Sequence, residues 1–145
     1  MDRMAQHPAQ FPGEFVIHSD TDEAHRLQQH IADELKACRF SEREIFGIKL
    51  ALEEALVNAI KHGNRLDRNK KVRIAYTVRE DEFHIRISDE GKGFDPDDVP
   101  DPTDIENLER PCGRGLLLMR HYMNAVEFPS PGNTCVMWKR RNGNS

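Results

Sequence analysis

Two neighbouring segments of this 145-residue chain alternate between apolar and polar residues, and no other feature constrains the fold as strongly. They read KVRIAYTVRE and EFHIRISDE, and the acidic residues Glu80–Glu82 join them. An alternation with a period of two predicts β-strands that bury one face. Two such strands with a short polar connection predict an antiparallel hairpin. Because one face of this hairpin is apolar, other elements have to cover it.

Helix patterns precede and follow this hairpin. Ser41 with Glu44 three residues later predicts a helix start with a capping box, and Gly63 with Asn64 predicts the C-terminal cap of that helix. In chain order we expect a strand over Glu14–Ser19, a helix capped by Thr21 or Asp22 and ending near Cys38, a helix from Ser41 to His62, the hairpin, a helix over Gly115–Tyr122, and strands over Asn124–Phe128 and Thr134–Lys139. This order predicts an α+β fold, a two-layer α/β sandwich whose mixed, mainly antiparallel sheet carries helices on one face.

The composition is that of a globular protein in water. Hydrophobic residues make up 37% and charged residues 32%, and the formal net charge of -4 argues weakly against nucleic-acid binding. We expect one domain over residues 15–140 between flexible tails at residues 1–14 and 141–145. No stretch approaches the roughly 20 apolar residues of a membrane span, and the N-terminus lacks the apolar run of a signal peptide. The 3 cysteines are scattered, which favours a reducing, cytoplasmic location.

The second expected helix carries polar residues among small and apolar ones, in the stretch EEALVNAIKHGN. At about 100° per residue, Glu54, Asn58 and His62 lie within about 80° of one another. A buried amide without a partner costs roughly 1–3 kcal/mol, so Asn58 needs an explanation. A carboxylate and an amide one turn apart offer the oxygen ligands that hard cations such as Mg²⁺ prefer. The alternative is a surface glutamate beside an asparagine bonded to neighbouring backbone.

Two glycine-containing motifs follow, DEGKGFDP after the second hairpin strand and GRGLLLMR before the last helix. In the first, the Asp89 carboxylate accepts hydrogen bonds in a plane, which suits an exocyclic amine on a flat base. Glycines beside it let such a base approach the backbone. In the second, exposed N–H groups at a helix start attract phosphate, and Arg114 adds a cation. The alternatives are a β-turn and a loop that caps a core helix.

An acidic, proline-containing loop separates these two motifs and is long enough to be either functional or disordered. The order of the motifs resembles the Bergerat-type nucleotide-binding fold of the gyrase, histidine-kinase and heat-shock-chaperone ATPase superfamily. Within it, the chain looks most like the anti-sigma factor serine kinases, over about Phe15–Lys139. The resemblance implies that Asn58 binds the Mg²⁺ that bridges the ATP phosphates, that Glu54 is the general base, and that Asp89 takes the adenine amino group. It also implies that Gly91 and Gly93 admit the base, that residues 95–111 form the ATP lid, and that Gly113, Arg114, Gly115 and Leu116 hold the phosphates.

The residue at position 54 distinguishes the anti-sigma factor serine kinases from the histidine kinases, which usually carry asparagine where this chain has Glu54. The resemblance therefore implies an ATP-dependent protein serine/threonine kinase that acts as an anti-sigma factor. Its implied partners are a sigma factor and a STAS-domain anti-anti-sigma factor, with no direct nucleic acid and no membrane, and relatives act as homodimers. Two alternatives stay open: a nucleotide-gated binding module without phosphotransfer, and an orphan ATPase domain of a two-component system.

Overall fold

The structure, a computed structural model, describes residues 14–92, 111–129 and 131–142. Most of the predicted lid lies outside these residues, together with Gly93, all but the last residue of the predicted N-terminal tail and residues 143–145 of the predicted C-terminal tail. The elements are β1 (Glu14–His18), α1 (Thr21–Ala37), α2 (Glu42–Val57), a π-helical segment (Asn58–Gly63), β2 (Lys71–Val78), β3 (Glu82–Ser88), α3 (Pro111–Tyr122), β4 (Ala125–Glu127) and β5 (Thr134–Arg140).

The strands form one five-stranded sheet in the order β1-β2-β3-β5-β4. The predicted hairpin is confirmed, since β2 pairs with β3 in the register Tyr76↔Ile85 and Val78↔Phe83. All pairings among the described strands are antiparallel, so the part of the sheet that the structure describes is antiparallel throughout rather than mixed. The α+β class is confirmed.

One face of the sheet and the inner sides of the helices form a single apolar core. The alternation of β2 and β3 buries every second side chain against the helices, as Ile74 and Ile85 illustrate with 0% exposure each. Further fully buried side chains come from both long helices and from the last helix and strand: Ile31, Leu35, Ile48, Leu52, Leu56, Met119 and Met137. None of the helices in the described ranges is long and apolar enough to cross a membrane.

The starts of the first two helices follow local side-chain chemistry. In α2 the predicted capping box is present, because the Glu44 N–H donates to Ser41 Oγ (3.0 Å) and the Ser41 N–H donates to Glu44 Oε1 (2.9 Å). In α1 the cap is Asp20, whose carboxylate accepts the Asp22 N–H at 2.8 Å. The expected cap at Thr21 or Asp22 was therefore wrong by one or two residues.

The end of α2 differs from the prediction of a regular helix capped by Gly63 and Asn64. The α-helix stops at Val57 and continues as the π-helical segment, a wide turn that is often found at functional sites. Asn64 has right-handed backbone angles, and the left-handed residues are Arg65 (φ 52) and Leu66 (φ 60). A left-handed non-glycine residue costs of order 1–3 kcal/mol, so tertiary contacts must hold this connection.

The last helix begins earlier than expected. Pro111 is its first residue, a position that proline favours because its missing N–H has no helical partner there. The predicted start at Gly115 was wrong by four residues, and Gly113 and Gly115 lie inside the first turns of α3 rather than before it.

Candidate functional site

The candidate site lies where the end of α2, the π-helical segment, the end of β3 and the start of α3 meet. Glu54 on α2 reaches the backbone of α3 directly: a Cβ atom built on Gly115 would lie 2.6 Å from Glu54 Oε2. Real Cβ atoms do not approach an oxygen that closely, so only glycine at position 115 leaves the carboxylate in this place. The two helices thereby bring the predicted base beside the predicted phosphate-holding segment.

Burial changes the acid–base character of Glu54. The carboxylate is partly buried, and this desolvation, with a smaller contribution from the neighbouring Glu53 carboxylate, raises the pKa of Glu54 above its ordinary value. A carboxylate with a raised pKa binds a proton more strongly, which is the property that a general base needs.

Asn58 is the first residue of the π-helical segment, and its amide has no hydrogen-bond partner among the described residues. Both Oδ1 and Nδ2 are buried, and no residue in the described ranges bonds to either atom. The alternative, in which the Asn58 amide bonds to neighbouring backbone, is therefore not found among the described residues. Leaving such a group unpaired costs about 1–3 kcal/mol, and a ligand that bonds to the amide would recover this free energy.

The chemistry of this donor set fits Mg²⁺ bound largely through a nucleotide. Among the described residues, no group of three or more His, Cys, Asp and Glu side chains could hold a metal ion without further ligands. Mg²⁺ keeps several waters and commonly binds through one or two protein oxygens together with substrate phosphates. One amide oxygen from Asn58 suits that pattern and does not suit a metal cage made of protein alone.

Asp89 follows β3 and lies against Gly63 at the end of the π-helical segment. Burial raises the pKa of its carboxyl, and this is opposed by the Gly91 N–H, which donates to Asp89 Oδ1 at 2.7 Å, and by Lys70. A Cβ atom on Gly63 would overlap the Asp89 carboxylate, and one on Gly91 would overlap the Gly63 carbonyl oxygen. The structure therefore places Asp89, Gly63 and Gly91 in one close-packed corner.

Gly63 shapes this corner, although the sequence predicted it only as a helix cap. In the sequence, this glycine directly follows a polar helical motif. A glycine in that place indicates the close approach of another segment to its backbone as readily as it indicates a helix cap. Asn64 was predicted as part of the cap, and it does cap the π-helical segment, because its N–H donates to the Ala59 carbonyl. It is also fully buried, and its side-chain oxygen accepts the Glu90 N–H.

The described structure shows less of the remaining predicted site residues. Gly113 and Arg114 are the third and fourth residues of α3, and Gly93 lies outside the described residues. Leu116 is 5% exposed, and its side chain packs in the core. Glu54, Asn58, Asp89, Gly91 and Gly115 are the predicted residues that the described elements bring to one region.

The fold and this site define a histidine kinase-like ATPase domain. Residues 17–139 match the family model of that description, and the chain belongs to this family. It is also similar to the anti-sigma F factor of Oceanobacillus iheyensis, with 35% identity over 103 residues that cover 67% of this chain and 70% of the relative. The serine-protein kinase RsbW of Bacillus subtilis is 35% identical over 107 residues, which cover 69% of this chain and 67% of the relative.

A third relative extends the comparison to another bacterial group. The serine/threonine-protein kinase BtrW of Bordetella bronchiseptica is 30% identical over 92 residues, covering 62% of this chain and 65% of the relative. Within the histidine kinase-like family, the chain therefore falls among the anti-sigma factor serine kinases, which are ATP-dependent protein serine/threonine kinases.

Proposed function

We propose that this protein binds ATP with Mg²⁺ and transfers the γ-phosphate to a serine of a STAS-type anti-anti-sigma factor, and that it holds a sigma factor inactive. The observation that carries the proposal is the buried amide of Asn58, which lies one helical turn from Glu54 and has no partner among the described residues. An unpaired buried amide costs free energy, and a nucleotide-bound cation would supply a partner for its oxygen.

Asn58 would hold Mg²⁺ through Oδ1. When bound, the ion neutralises charge on the phosphates during transfer. The raised pKa of Glu54 supports its role as the acceptor of the serine hydroxyl proton. Gly115 allows this carboxylate to lie against α3, whose first residues would contact the phosphates.

Asp89 would accept the amino group of adenine. Its Oδ1 already accepts the Gly91 N–H, and no residue in the described ranges donates a hydrogen bond to Oδ2. The absence of side chains at Gly63 and Gly91 keeps this corner compact and leaves the Asp89 carboxylate in its place. These features support recognition of an adenine nucleotide rather than of phosphates alone.

The proposal also includes two surfaces that bind other protein chains. β1 is at the end of the strand order and pairs only with β2 among the described strands, and Phe15 and Val16 on it are 43% and 47% exposed. An edge strand with exposed apolar side chains is suited to pairing with another chain, and we propose that a homodimer forms there. The STAS antagonist would instead dock beside the nucleotide site, because its serine has to reach the γ-phosphate.

Incubation with labelled ATP, Mg²⁺ and STAS-domain proteins encoded near this gene tests the proposal. The expected result is one phosphorylated STAS protein, with labelling lost when Mg²⁺ is chelated. A Glu54→Gln variant that binds ATP but does not transfer phosphate is the matched control. Nucleotide-dependent capture of a partner without labelling would instead favour the binding module, and no ATP binding at all would refute both readings.

A further inference from the structure

The turn formed by Asp89, Glu90 and Gly91, called here the Asp89 turn, is bonded to two asparagine residues from different connections of the fold. One is Asn64, from the connection between the π-helical segment and β2, and the other is Asn133, from the connection between β4 and β5. Asn64 is the last residue of the stretch EEALVNAIKHGN, and the proposed function gives neither residue a direct contact with the nucleotide. Both residues bond to the backbone of the turn that carries the base-recognising carboxylate.

Asn64 is 0% exposed, and its side chain uses both amide hydrogens and the amide oxygen. Nδ2 donates to Ser19 Oγ and to the Lys71 carbonyl, each at 3.0 Å. Oδ1 accepts the Glu90 N–H at 2.7 Å. A backbone carbonyl only accepts and a backbone N–H only donates, so these partners determine the orientation of the amide.

The bonds of Asn64 join parts of the chain that are distant in sequence. The Glu90 bond spans 26 residues and the Ser19 bond spans 45 residues. Ser19 Oγ in turn donates to the Lys70 carbonyl at 3.0 Å, which completes the network. The Asn64 backbone N–H also donates to the Ala59 carbonyl at 2.8 Å, inside the segment that begins with Asn58. One residue thus sets the position of the Asp89 turn relative to the helix that carries Asn58.

Asn133, from the connection between β4 and β5, bonds to the same turn. Its carbonyl accepts the Asp89 N–H at 2.9 Å, and its Nδ2 lies 3.3 Å from the Asp89 carbonyl and 3.4 Å from the Gly91 carbonyl. With the backbone held in this way, Asp89 keeps its carboxylate beside Gly63. The only hydrogen bond to that carboxylate within the described residues comes from the Gly91 N–H.

We propose that Asn64 and Asn133 are positioning residues that aim the Asp89 carboxylate at the base and thereby set selectivity for the exocyclic amino group of adenine. This inference rests on the proposed function, because it assumes that Asp89 meets the base. A simpler role for both residues is to stabilise the fold. That role predicts lower stability with unchanged discrimination between bases, whereas a positioning role predicts that discrimination itself falls.

The test compares Asn64→Ala and Asn133→Ala with wild type by calorimetry, with ATP and with purine riboside triphosphate, which lacks the amino group. A hydrogen bond to a charged group discriminates by roughly tenfold or more, so wild type should bind ATP at least about tenfold tighter. Asn64→Ala should bring this ratio close to 1, mainly through weaker ATP binding. Asn133→Ala should lower it less, because the bond from the Asp89 N–H to the Asn133 backbone carbonyl remains. Asn69→Ala is the matched control, because Asn69 is an exposed asparagine in the same connection and should keep the ratio.

The outcomes separate this inference from the proposed function. Wild type that binds both nucleotides equally refutes the assignment of Asp89 to the adenine amino group, and the positioning role with it. Wild type that discriminates, together with folded variants that discriminate as well, refutes the positioning role alone. If Asn64→Ala does not fold, Asn133→Ala decides, because Asn133 is only partly buried and water can replace its bonds to the two carbonyls.

Discussion

Replacing Asn58 with alanine should make the protein more stable without nucleotide and less stable with it. The change removes two buried amide atoms that have no partner among the described residues, a gain of about 1–3 kcal/mol. Alanine also has the better helix propensity, by up to about 0.7 kcal/mol. The small cavity left by the missing atoms opposes this with about 1 kcal/mol. The net expectation is a free energy of unfolding higher by about 1 kcal/mol and a Tm higher by about 3 °C.

With Mg²⁺ and ATP added, wild type should become more stable than the Asn58→Ala variant. At a ligand concentration of 100 times Kd, binding stabilises wild type by about 2.7 kcal/mol, and the variant should gain little because it lacks the metal-binding oxygen. Urea unfolding and calorimetry, each with and without Mg²⁺ and ATP, measure both effects, and Asn69→Ala serves as an exposed control. If Asn58→Ala is less stable than wild type without ligand, the amide makes favourable contacts and the reasoning fails. If the variant gains as much from ligand as wild type, Asn58 does not hold the metal.

Three further changes test separate parts of the site and the fold. Glu54→Gln should keep ATP binding and reduce single-turnover phosphotransfer by about 10²–10⁴-fold, the usual contribution of a general base; an unchanged rate would exclude this role. Because the folded pKa of Glu54 is raised, the charged carboxylate destabilises the fold above that pKa, and Glu54→Gln should raise the unfolding free energy at neutral pH but not in acid. Gly63→Ala should weaken ATP binding at least about tenfold, because its Cβ would displace the Asp89 carboxylate and so remove a charge-assisted hydrogen bond. If calorimetry finds the affinity of wild type, the added Cβ does not disturb the contact between Asp89 and ATP. Val16→Pro should weaken dimerisation and leave ATP binding unchanged, because proline disturbs the edge strand. Sedimentation of wild type at tens of micromolar tests the dimer itself, since a dimer with Kd ~1 μM is mostly assembled there. A monomeric wild type at this concentration would contradict the dimer.

The sequence alone was sufficient for features that depend on neighbours along the chain. The alternation over β2 and β3 predicted the hairpin, and Ser41 with Glu44 predicted the start of α2, because strand period and capping chemistry act within a few residues. The motif order pointed to a nucleotide site around Asn58 and Asp89. None of this required knowledge of which distant residues touch.

Only the tertiary structure revealed contacts between segments that lie far apart in the chain. The need for glycine at Gly63 comes from the Asp89 carboxylate, and the need for glycine at Gly115 comes from Glu54. The burial of Asn64 comes from partners 26 and 45 residues away. The change from α-helix to π-helix begins at Asn58, in the segment that ends at Gly63 beside Asp89. Local propensity and pattern carry no information about such distances, since they arise only when the sheet and the helices pack together.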